Sequence, residues 1–319
     1  MADNARLDMK DFDGMKLSQL KMLVAVAEHG GFSAAAAELG CTQSRISHAI
    51  AELEGALGAT LLARGPGGSV PTEAGRRVLA KARQMLRLEA GLVEAARGAA
   101  ALDATVRIAC FRSVGTHLLP HVLEALANTH PALHIEIDDS VEERLGIEHA
   151  LREGLADIGV AQLPLAPGLA SRPYLHDDYV LVLPASLPLQ SGSWPAGDTL
   201  PLIGLACSGA AGMLARCRAA GLNLAPSRTL ANDTSIAAMV GRGMGYAILP
   251  RLSIFPEPGD VRILPLPLPE PALARRRFAI AALPAQMRRP GVRAVVRALR
   301  DRRLAAATPA GQAGIIAWE

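Results

Sequence analysis

Apolar residues recur at helical spacing in three successive segments of the first sixty residues. The first, LSQLKMLVAVAE, ends near two glycines, and a short alanine-rich segment follows with Ser33 as its expected N-cap. The third segment has Thr42 as its expected N-cap and carries an apolar stripe along one side. This stripe consists of Ile46, Ile50, Leu53 and Leu57. The pattern predicts a helix, a short helix, a tight turn and a longer helix.

The next segment combines turn residues with a long amphipathic run. The sequence RGPGGSVP lies between two short extended pieces, which predicts a small β-wing. A long helix is predicted from Thr72 to about Arg97, and in it Leu79, Leu86 and Val93 recur every seven residues. Such a repeat is typical of a helix that packs against another helix. The segment GAAALDA then indicates a linker.

From Thr105 onward the pattern changes to strands that alternate with helices. Strand-like segments such as TVRIACF, LHIEIDD and ADIGVAQ are separated by amphipathic helical segments. This alternation predicts an α/β fold with largely parallel sheets. The last residues, AAATPAGQAGIIAWE, are rich in alanine and glycine, and we expect them to fray.

Composition narrows the classes of protein that fit this pattern. Half of the 319 residues are hydrophobic, and a chain of this length usually forms two or three units. The formal net charge is only +3, so nucleic-acid binding would require local placement of charge. The four cysteines lie far apart and form no CxxC, which favours a reducing compartment. Because the first fourteen residues lack a signal-peptide core and no run has the length of a membrane span, we expect a cytoplasmic protein.

The outward face of the third predicted helix is polar and free of acidic residues in its first two turns. Helical geometry turns Ser44, Ser47 and His48 outward, with Gln43 and Arg45 beside them. In a helix-turn-helix, the second helix enters the major groove of DNA by its N-terminal residues. Gln, Ser, Arg and His side chains can hydrogen-bond base edges and phosphates. We therefore predict that this face contacts DNA; an ordinary solvated face is the alternative.

The first part of the chain resembles the DNA-binding half of LysR-type transcriptional regulators. The resemblance rests on the segment GGFSAAAAELG, the pattern TQSRIS…I…LE…LGATLLAR and the sequence TEAG that opens the linker helix. It implies contacts with double-stranded DNA from the helix and from the wing. Together with the outward face, the predicted DNA contacts are Thr42, Gln43, Ser44, Arg45, Ser47, His48 and Arg64. The chain departs from the family at His48, usually Arg or Lys there, and at Arg45, usually a small residue.

The order of the segments after the wing also fits this family. The resemblance implies a linker helix that pairs subunits into dimers and tetramers, followed by a two-lobed α/β effector domain of the periplasmic-binding-protein type. The expected divisions are a disordered extension at 1–14, a winged helix-turn-helix at 15–72, the linker helix at 73–98, the effector domain at 104–304 and a flexible tail at 305–319.

Small polar residues stand at the predicted starts of three helices in the second half. Ser113, Ser208 and Thr234 each follow a strand, and ligands of open α/β sheets bind at the carboxyl ends of strands. Helix N-termini attract carboxylates and other anions, although ordinary capping explains each residue taken singly. The resemblance implies an effector cleft with contacts at Ser113, Thr116, Val160, Ala161, Ser208, Asn232, Asp233 and Thr234. The predicted function is a sequence-specific transcriptional regulator controlled by a small-molecule effector, for which a carboxylate or another anion is the first candidate.

Three alternatives stay open at the level of the sequence. Cys207 and Cys217 lie in the region where peroxide-sensing members of the family carry their reactive pair, so a redox-sensing regulator is one alternative. A cytoplasmic solute-binding protein whose N-terminal helices only mediate oligomerisation is another. An enzyme is the third, but the chain has no GxSxG, HExxH or Walker motif and its histidines form no ligand array. We therefore expect no catalytic residue, no metal site and no cofactor.

Overall fold

The structure is a computed structural model that describes residues 15–65, 68–97, 104–188 and 200–319. It divides into two compact units, residues 1–98 with 152–155 and residues 99–151 with 156–319. The extension at 1–14, which we predict to be disordered, lies outside the described residues. Among the helices that are described, none combines the length and the apolar character needed to cross a membrane.

The first unit contains the predicted helices and the wing in the predicted order. Its elements are α1 (Leu17–His29), α2 (Phe32–Glu38), α3 (Gln43–Leu57), β1 (Leu62–Gly65), β2 (Gly68–Pro71) and α4 (Glu73–Arg97). Thr42 is the N-cap of α3, as predicted, and its hydroxyl accepts a hydrogen bond from the Arg45 backbone N–H at 3.3 Å. The expected cap at Ser33 is wrong, because Gly31 is the N-cap of α2 and Ser33 lies inside the helix.

The apolar stripe of α3 forms part of the core of this unit. Ile46, Ile50 and Leu53 are buried and pack in one cluster with residues of α1, α2 and α4. Leu57, the fourth residue of the predicted stripe, is exposed because α3 ends there and Gly58 turns the chain away in a left-handed conformation. Burial of the other three orients the polar face of α3 away from the core.

The wing is a two-stranded antiparallel hairpin whose second strand contacts the turn after α1. Its register runs from Leu62 opposite Pro71 to Gly65 opposite Gly68. The backbone N–H of Ser69 donates to the carbonyl oxygen of Gly30 at 3.0 Å. Gly68 has a φ of 125°, and a Cβ added there would lie 2.1 Å from that same oxygen, so this contact requires glycine.

The second unit is an α/β structure with eighteen helices and strands among its described residues. They are β3 (Ala104–Ala109), α5 (Arg112–His117), α6 (Leu119–Thr129), β4 (Leu133–Asp138), α7 (Leu145–Arg152), β5 (Ile158–Gln162), β6 (Ala170–Pro184), β7 (Leu202–Leu205), α8 (Ser208–Ala219), β8 (Pro226–Leu230), α9 (Asp233–Gly241), β9 (Tyr246–Pro250), β10 (Val261–Pro265), β11 (Arg275–Ala282), α10 (Pro290–Leu299), α11 (Arg302–Ala307), α12 (Pro309–Gln312) and β12 (Ala317–Trp318). Short 3-10 turns at Arg251–Ile254, Pro271–Ala274 and Gln286–Arg288 connect some of them.

Two lobes share the long strand β6 within one sheet, whose order is β4-β3-β5-β11-β6-β9-β7-β8. β3 is parallel to β4 and β5 in the first lobe, and β7 is parallel to β8 and β9 in the second. Residues 170–178 of β6 pair with β11, and residues 179–184 pair with β9 and β10. All pairs made by β6 and β11 are antiparallel, so the expectation of largely parallel sheets holds only inside each lobe.

The C-terminal residues are packed, and the prediction of a flexible tail at 305–319 is wrong. Ala305, Ala310 and Ile316 belong to the hydrophobic core of the first lobe. β12 pairs with β6, and the Trp318 ring packs edge-on against Tyr174 with centroids 5.8 Å apart. The alanines that suggest fraying are small enough to let short helices pack closely, and the Trp318 ring adds an aromatic contact with Tyr174.

Candidate DNA interface and ligand cavity

The first two turns of α3 bring six of the predicted DNA contacts together. The side chains of all six are exposed, and the buried Ile46 and Ile50 lie on the opposite side of the helix. The six residues are Thr42, Gln43, Ser44, Arg45, Ser47 and His48. The side chain of the seventh, Arg64, lies outside the described residues, although its backbone pairs with Ser69 in the wing.

One contact from α2 and one within α3 orient two of these side chains. Ser33 in α2 donates from its hydroxyl to Gln43 Oε1 at 3.3 Å. His48 Nε2 lies 3.1 Å from Glu52 Oε1, and the other oxygen of Glu52 accepts from Gln19 Nε2 at 2.9 Å. Among the residues that the structure describes, Arg45 has no partner for its guanidinium. The exposed face of α3 therefore carries the unpaired guanidinium of Arg45 beside the oriented side chains of Gln43 and His48.

The second unit contains a cavity of about 240 Å³ where the carboxyl ends of β3, β4, β7 and β8 meet. Three of the predicted effector contacts line it: Ser113, Asn232 and Asp233. Ser113 is a buried residue with 5% of its surface exposed, and its hydroxyl has no hydrogen-bond partner within the described part of the chain. The cavity lies where open α/β sheets place their ligands.

The other five predicted effector contacts do not line this cavity. Val160 and Ala161 are fully buried in β5, so their side chains belong to the core of the first lobe and cannot contact a ligand there. Thr116 and Thr234 are exposed elsewhere on their helices. Ser208 is the first residue of α8, but both its backbone N–H, at 3.0 Å, and its hydroxyl donate to Glu142 Oε1.

Two of the three helix starts that we expected to hold an anion, those at Ser208 and Thr234, are occupied by oxygen atoms of the protein itself. Burial alone raises the pKa of the Glu142 carboxyl, but hydrogen bonds from Ser208 and from the Gly146 and Arg144 backbones outweigh it and lower that pKa. At the start of α9, Asn232 Oδ1 accepts from the Ser235 N–H at 3.0 Å. The N-terminus of α8 therefore already binds a carboxylate.

The predicted site residues do not include a buried arginine that lies beside the cavity. Arg276 is 1% exposed, and its guanidinium donates to Asp177 Oδ1 at 2.8 Å and to Glu143 Oε2 at 2.9 Å. The rings of Phe111 and Phe278 lie 5.0 and 4.9 Å from it. The alternation of RRRFAIAA contains the signal, because period two places Arg276 on the same face as the buried Phe278.

Electrostatics hold this arginine in its charged form. Burial by itself lowers the pKa of the Arg276 guanidinium, but the carboxylates of Asp177 and Glu143 outweigh burial and raise that pKa above its ordinary value. Glu143 also accepts a hydrogen bond from Tyr179 Oη at 3.3 Å. The Glu143 carboxylate and the Arg276 guanidinium thus line the cavity, and Asp177 pairs with Arg276 without lining it.

The two candidate redox cysteines lie in α8 and at its N-cap. Burial and the nearby Glu143 carboxylate raise the pKa of the Cys207 thiol, which donates to Glu143 Oε1 at 3.1 Å. Cys217 is fully buried, and burial raises its pKa as well. Because the thiolate is the nucleophile in peroxide reduction and thiol exchange, both positions are disfavoured as reactive thiols.

We expect Cys207 in the native protein to react with iodoacetamide at least about tenfold more slowly than in the unfolded chain near neutral pH. The raised pKa leaves little thiolate, and the hydrogen bond to Glu143 holds the proton on sulfur. Peptide mass spectrometry after timed labelling, with and without concentrated urea, measures the two rates at Cys207. Similar native and unfolded rates would restore the redox-sensing alternative.

Comparisons with known proteins agree with the order of the two units. Residues 17–76 match the family model described as bacterial regulatory helix-turn-helix protein, lysR family, and residues 99–303 match the LysR substrate binding domain. In the described part of the chain, no group of three or more His, Cys, Asp or Glu side chains is arranged to hold a metal ion.

Individual relatives cover most of the chain. A probable HTH-type transcriptional regulator LrrA from Synechococcus elongatus is 35% identical over 299 residues, 90% of this chain and 97% of that protein. A probable hydrogen peroxide-inducible genes activator from Mycobacterium leprae is 33% identical over 246 residues, 74% of this chain and 78% of that protein. A solved full-length OxyR from Pseudomonas aeruginosa has a TM-score of 0.71 at 24% identity, with 92% of this chain and 97% of that chain covered. The structural likeness concerns the fold.

Proposed function

The chain belongs to the LysR family of bacterial transcriptional regulators, and we propose that it reads a DNA operator through α3 and responds to a small molecule bound in the cavity of the second unit. The observation that carries the DNA-binding part is the exposed polar face of α3. This face carries the unpaired Arg45 together with Gln43 and His48. The opposite face of α3 is packed into the core of the first unit. Residues of these types at the start of a recognition helix suit base edges and phosphates.

Self-association through α4 is part of this proposal. Met85, Leu88 and Leu92 are spaced as neighbours on one side of a helix, and all three are exposed, with Leu92 at 72%. Exposed leucines at this spacing are typical of a helix that pairs with another helix. We expect at least a dimer, and a tetramer by analogy with the family, so that two or more α3 helices meet one operator.

Effector control requires that the ligand bind one assembly more tightly than another. We propose no catalytic activity, and we place the protein in the cytoplasm because its proposed partner is chromosomal DNA. The redox-sensing alternative has support from the names of some relatives, but the protonated, hydrogen-bonded Cys207 argues against it. The solute-binding alternative predicts no sequence-specific DNA binding at all.

We expect Gln43→Ala and Arg45→Ala each to weaken operator binding by about tenfold, because one base or phosphate contact is worth roughly 1–3 kcal/mol. Selection of genomic fragments by the purified protein would supply the operator, and gel shifts would give the affinities. Arg45→Ala should also reduce the slope of affinity against salt by about one if the guanidinium binds phosphate.

The matched control is Arg297→Ala, which removes one exposed arginine from the second unit and should leave DNA affinity unchanged. Circular dichroism and thermal unfolding would establish that the α3 variants fold. Unchanged affinity in both α3 variants, or failure to select any preferred sequence from the genome, would contradict the proposed function.

A further inference from the structure

We propose that the effector is a small organic cation, such as a protonated amine or guanidine, bound in the cavity lined by Ser113, Asp139 and Asp233. This inference rests on the proposed function, since it names the class of molecule that the effector cavity takes. It replaces the carboxylate expected from the positions of the helix starts.

The charged groups around the cavity favour a cation. Its lining contains the carboxylates of Asp139, Glu142, Glu143 and Asp233 but only two guanidinium groups, those of Arg112 and Arg276. Arg276 is committed to Glu143 and to Asp177 by hydrogen bonds of 2.8–2.9 Å. A ligand carboxylate would thus enter a cavity with an excess of negative charge, whereas an ammonium group would be attracted to it.

Two of the helix N-termini that face the cavity, those of α8 and α9, leave no vacancy for an anion. At α8, the Ser208 N–H and hydroxyl both donate to Glu142 Oε1. At α9, the side chains of Asn232 and Asp233 accept from the N–H groups of Ser235 and Thr234 at 3.0 and 2.9 Å. An anionic ligand would have to displace these oxygens from the positive end of each helix dipole.

A separate observation indicates that a polar ligand group binds here. Ser113 lines the cavity from the first turn of α5 and is 95% buried, yet its hydroxyl has no partner among the described residues. With no partner in the described part of the protein, this hydroxyl is available to a ligand that enters the cavity. An ammonium or guanidinium N–H donates to a serine oxygen, so such a ligand would satisfy this group.

The size of the cavity and the spacing of its acids favour an organic cation over a metal ion. A volume of about 240 Å³ is far more than the roughly 10–15 Å³ that a single water molecule needs. Within the described residues, no three acidic, His or Cys side chains converge closely enough to hold a metal ion. A small metabolite that carries one or two amino groups fits both observations.

The test compares alkyl diamines and guanidino-amines of two to six carbons with dicarboxylates of the same length, beginning with 1,4-diaminobutane against succinate. Thermal unfolding of the full chain serves as the screen, and titration calorimetry gives the affinity of each molecule that raises the Tm. We expect at least one amine to bind and no dicarboxylate to match it. The double variant Asp139→Asn/Asp233→Asn should bind that amine at least about tenfold more weakly, because charge-assisted bonds become neutral ones.

Asp178→Asn is the matched control, because Asp178 is an exposed aspartate of β6 that does not line the cavity. The proposal would be overturned if dicarboxylates stabilised the protein more than amines, if no amine raised the Tm, or if the double variant kept full affinity. Operator binding without any response to amines would overturn this inference alone. Amine binding without sequence-specific DNA binding would instead overturn the proposed regulatory function.

Discussion

Replacing Arg276 with methionine is expected to lower the free energy of unfolding of the second unit by about 3–5 kcal/mol. The substitution keeps the volume of the side chain roughly constant but removes the one cation between Asp177 and Glu143. Both carboxylates are buried, so they would lose their partner without gaining water. Removing one partner of a buried ion pair destabilises a protein more than replacing the whole pair with apolar residues, because the remaining charge is left uncompensated.

Urea unfolding followed by circular dichroism measures this loss, and the neighbouring Arg277→Met supplies the control. Arg277 lies on the opposite face of β11, is more than half exposed and pairs with Glu319, so its loss should cost about 1 kcal/mol or less. Adding Asp177→Asn and Glu143→Gln to Arg276→Met should recover part of the stability. The prediction would be refuted if Arg276→Met and Arg277→Met lowered the free energy of unfolding equally. It would also be refuted if the added Asp177→Asn and Glu143→Gln substitutions restored no stability.

The second large effect is expected from Glu54→Ala, which should destabilise the first unit by about 2–4 kcal/mol. Glu54 lies near the end of α3, and its Oε1 accepts hydrogen bonds from the backbone N–H groups of Leu61 at 2.7 Å and Leu62 at 3.2 Å. Leu61 is fully buried, so its N–H would have no ready replacement partner. Operator affinity should fall as well, because the turn between α3 and the wing loses the hydrogen bonds that hold it to α3.

Two further variants separate this role from a general effect of charge. Glu54→Gln keeps an acceptor oxygen and should lose about half as much stability as Glu54→Ala. Glu38→Ala removes an exposed acid at the end of α2 whose side chain forms no hydrogen bond or ion pair among the described residues, and it should change stability by less than about 0.5 kcal/mol. Thermal unfolding of the three variants decides the matter, and identical midpoints for Glu38→Ala and Glu54→Ala would contradict the prediction.

Local patterns carried much of the sequence interpretation, and the comparisons confirm its family and fold. The apolar stripe at Ile46, Ile50 and Leu53 located α3 because helical periodicity needs only neighbouring residues. Hydrophobic periodicity did not predict the structure of segments that consist mainly of polar residues. The first half of β6 is polar and contains Pro173, so only its apolar second half has the sequence pattern of a strand. The alanine-rich tail was misread because its packing depends on partners in β6.

The polar residues of the candidate cavity show the limit of the sequence most clearly. Ser208 was rightly placed at the start of a helix, but its partner Glu142 is 66 residues away along the chain. Arg276 and Glu143 are separated by 133 residues. From the positions of the helix starts we predicted an anionic ligand. The carboxylates that occupy or surround those starts reverse the expected sign of the ligand charge.

By itself, the sequence determined the helix-turn-helix, the alternation of strands and helices, and the face of α3 that points outward. These features follow from side-chain periodicity and capping, which act over a few residues. Only the tertiary structure decided which charges meet at the cavity, that the C-terminal residues pack on β6, and that Cys207 is held as a thiol. Those outcomes depend on groups distant in the chain, and electrostatic and packing energies are set by distance in space and by burial.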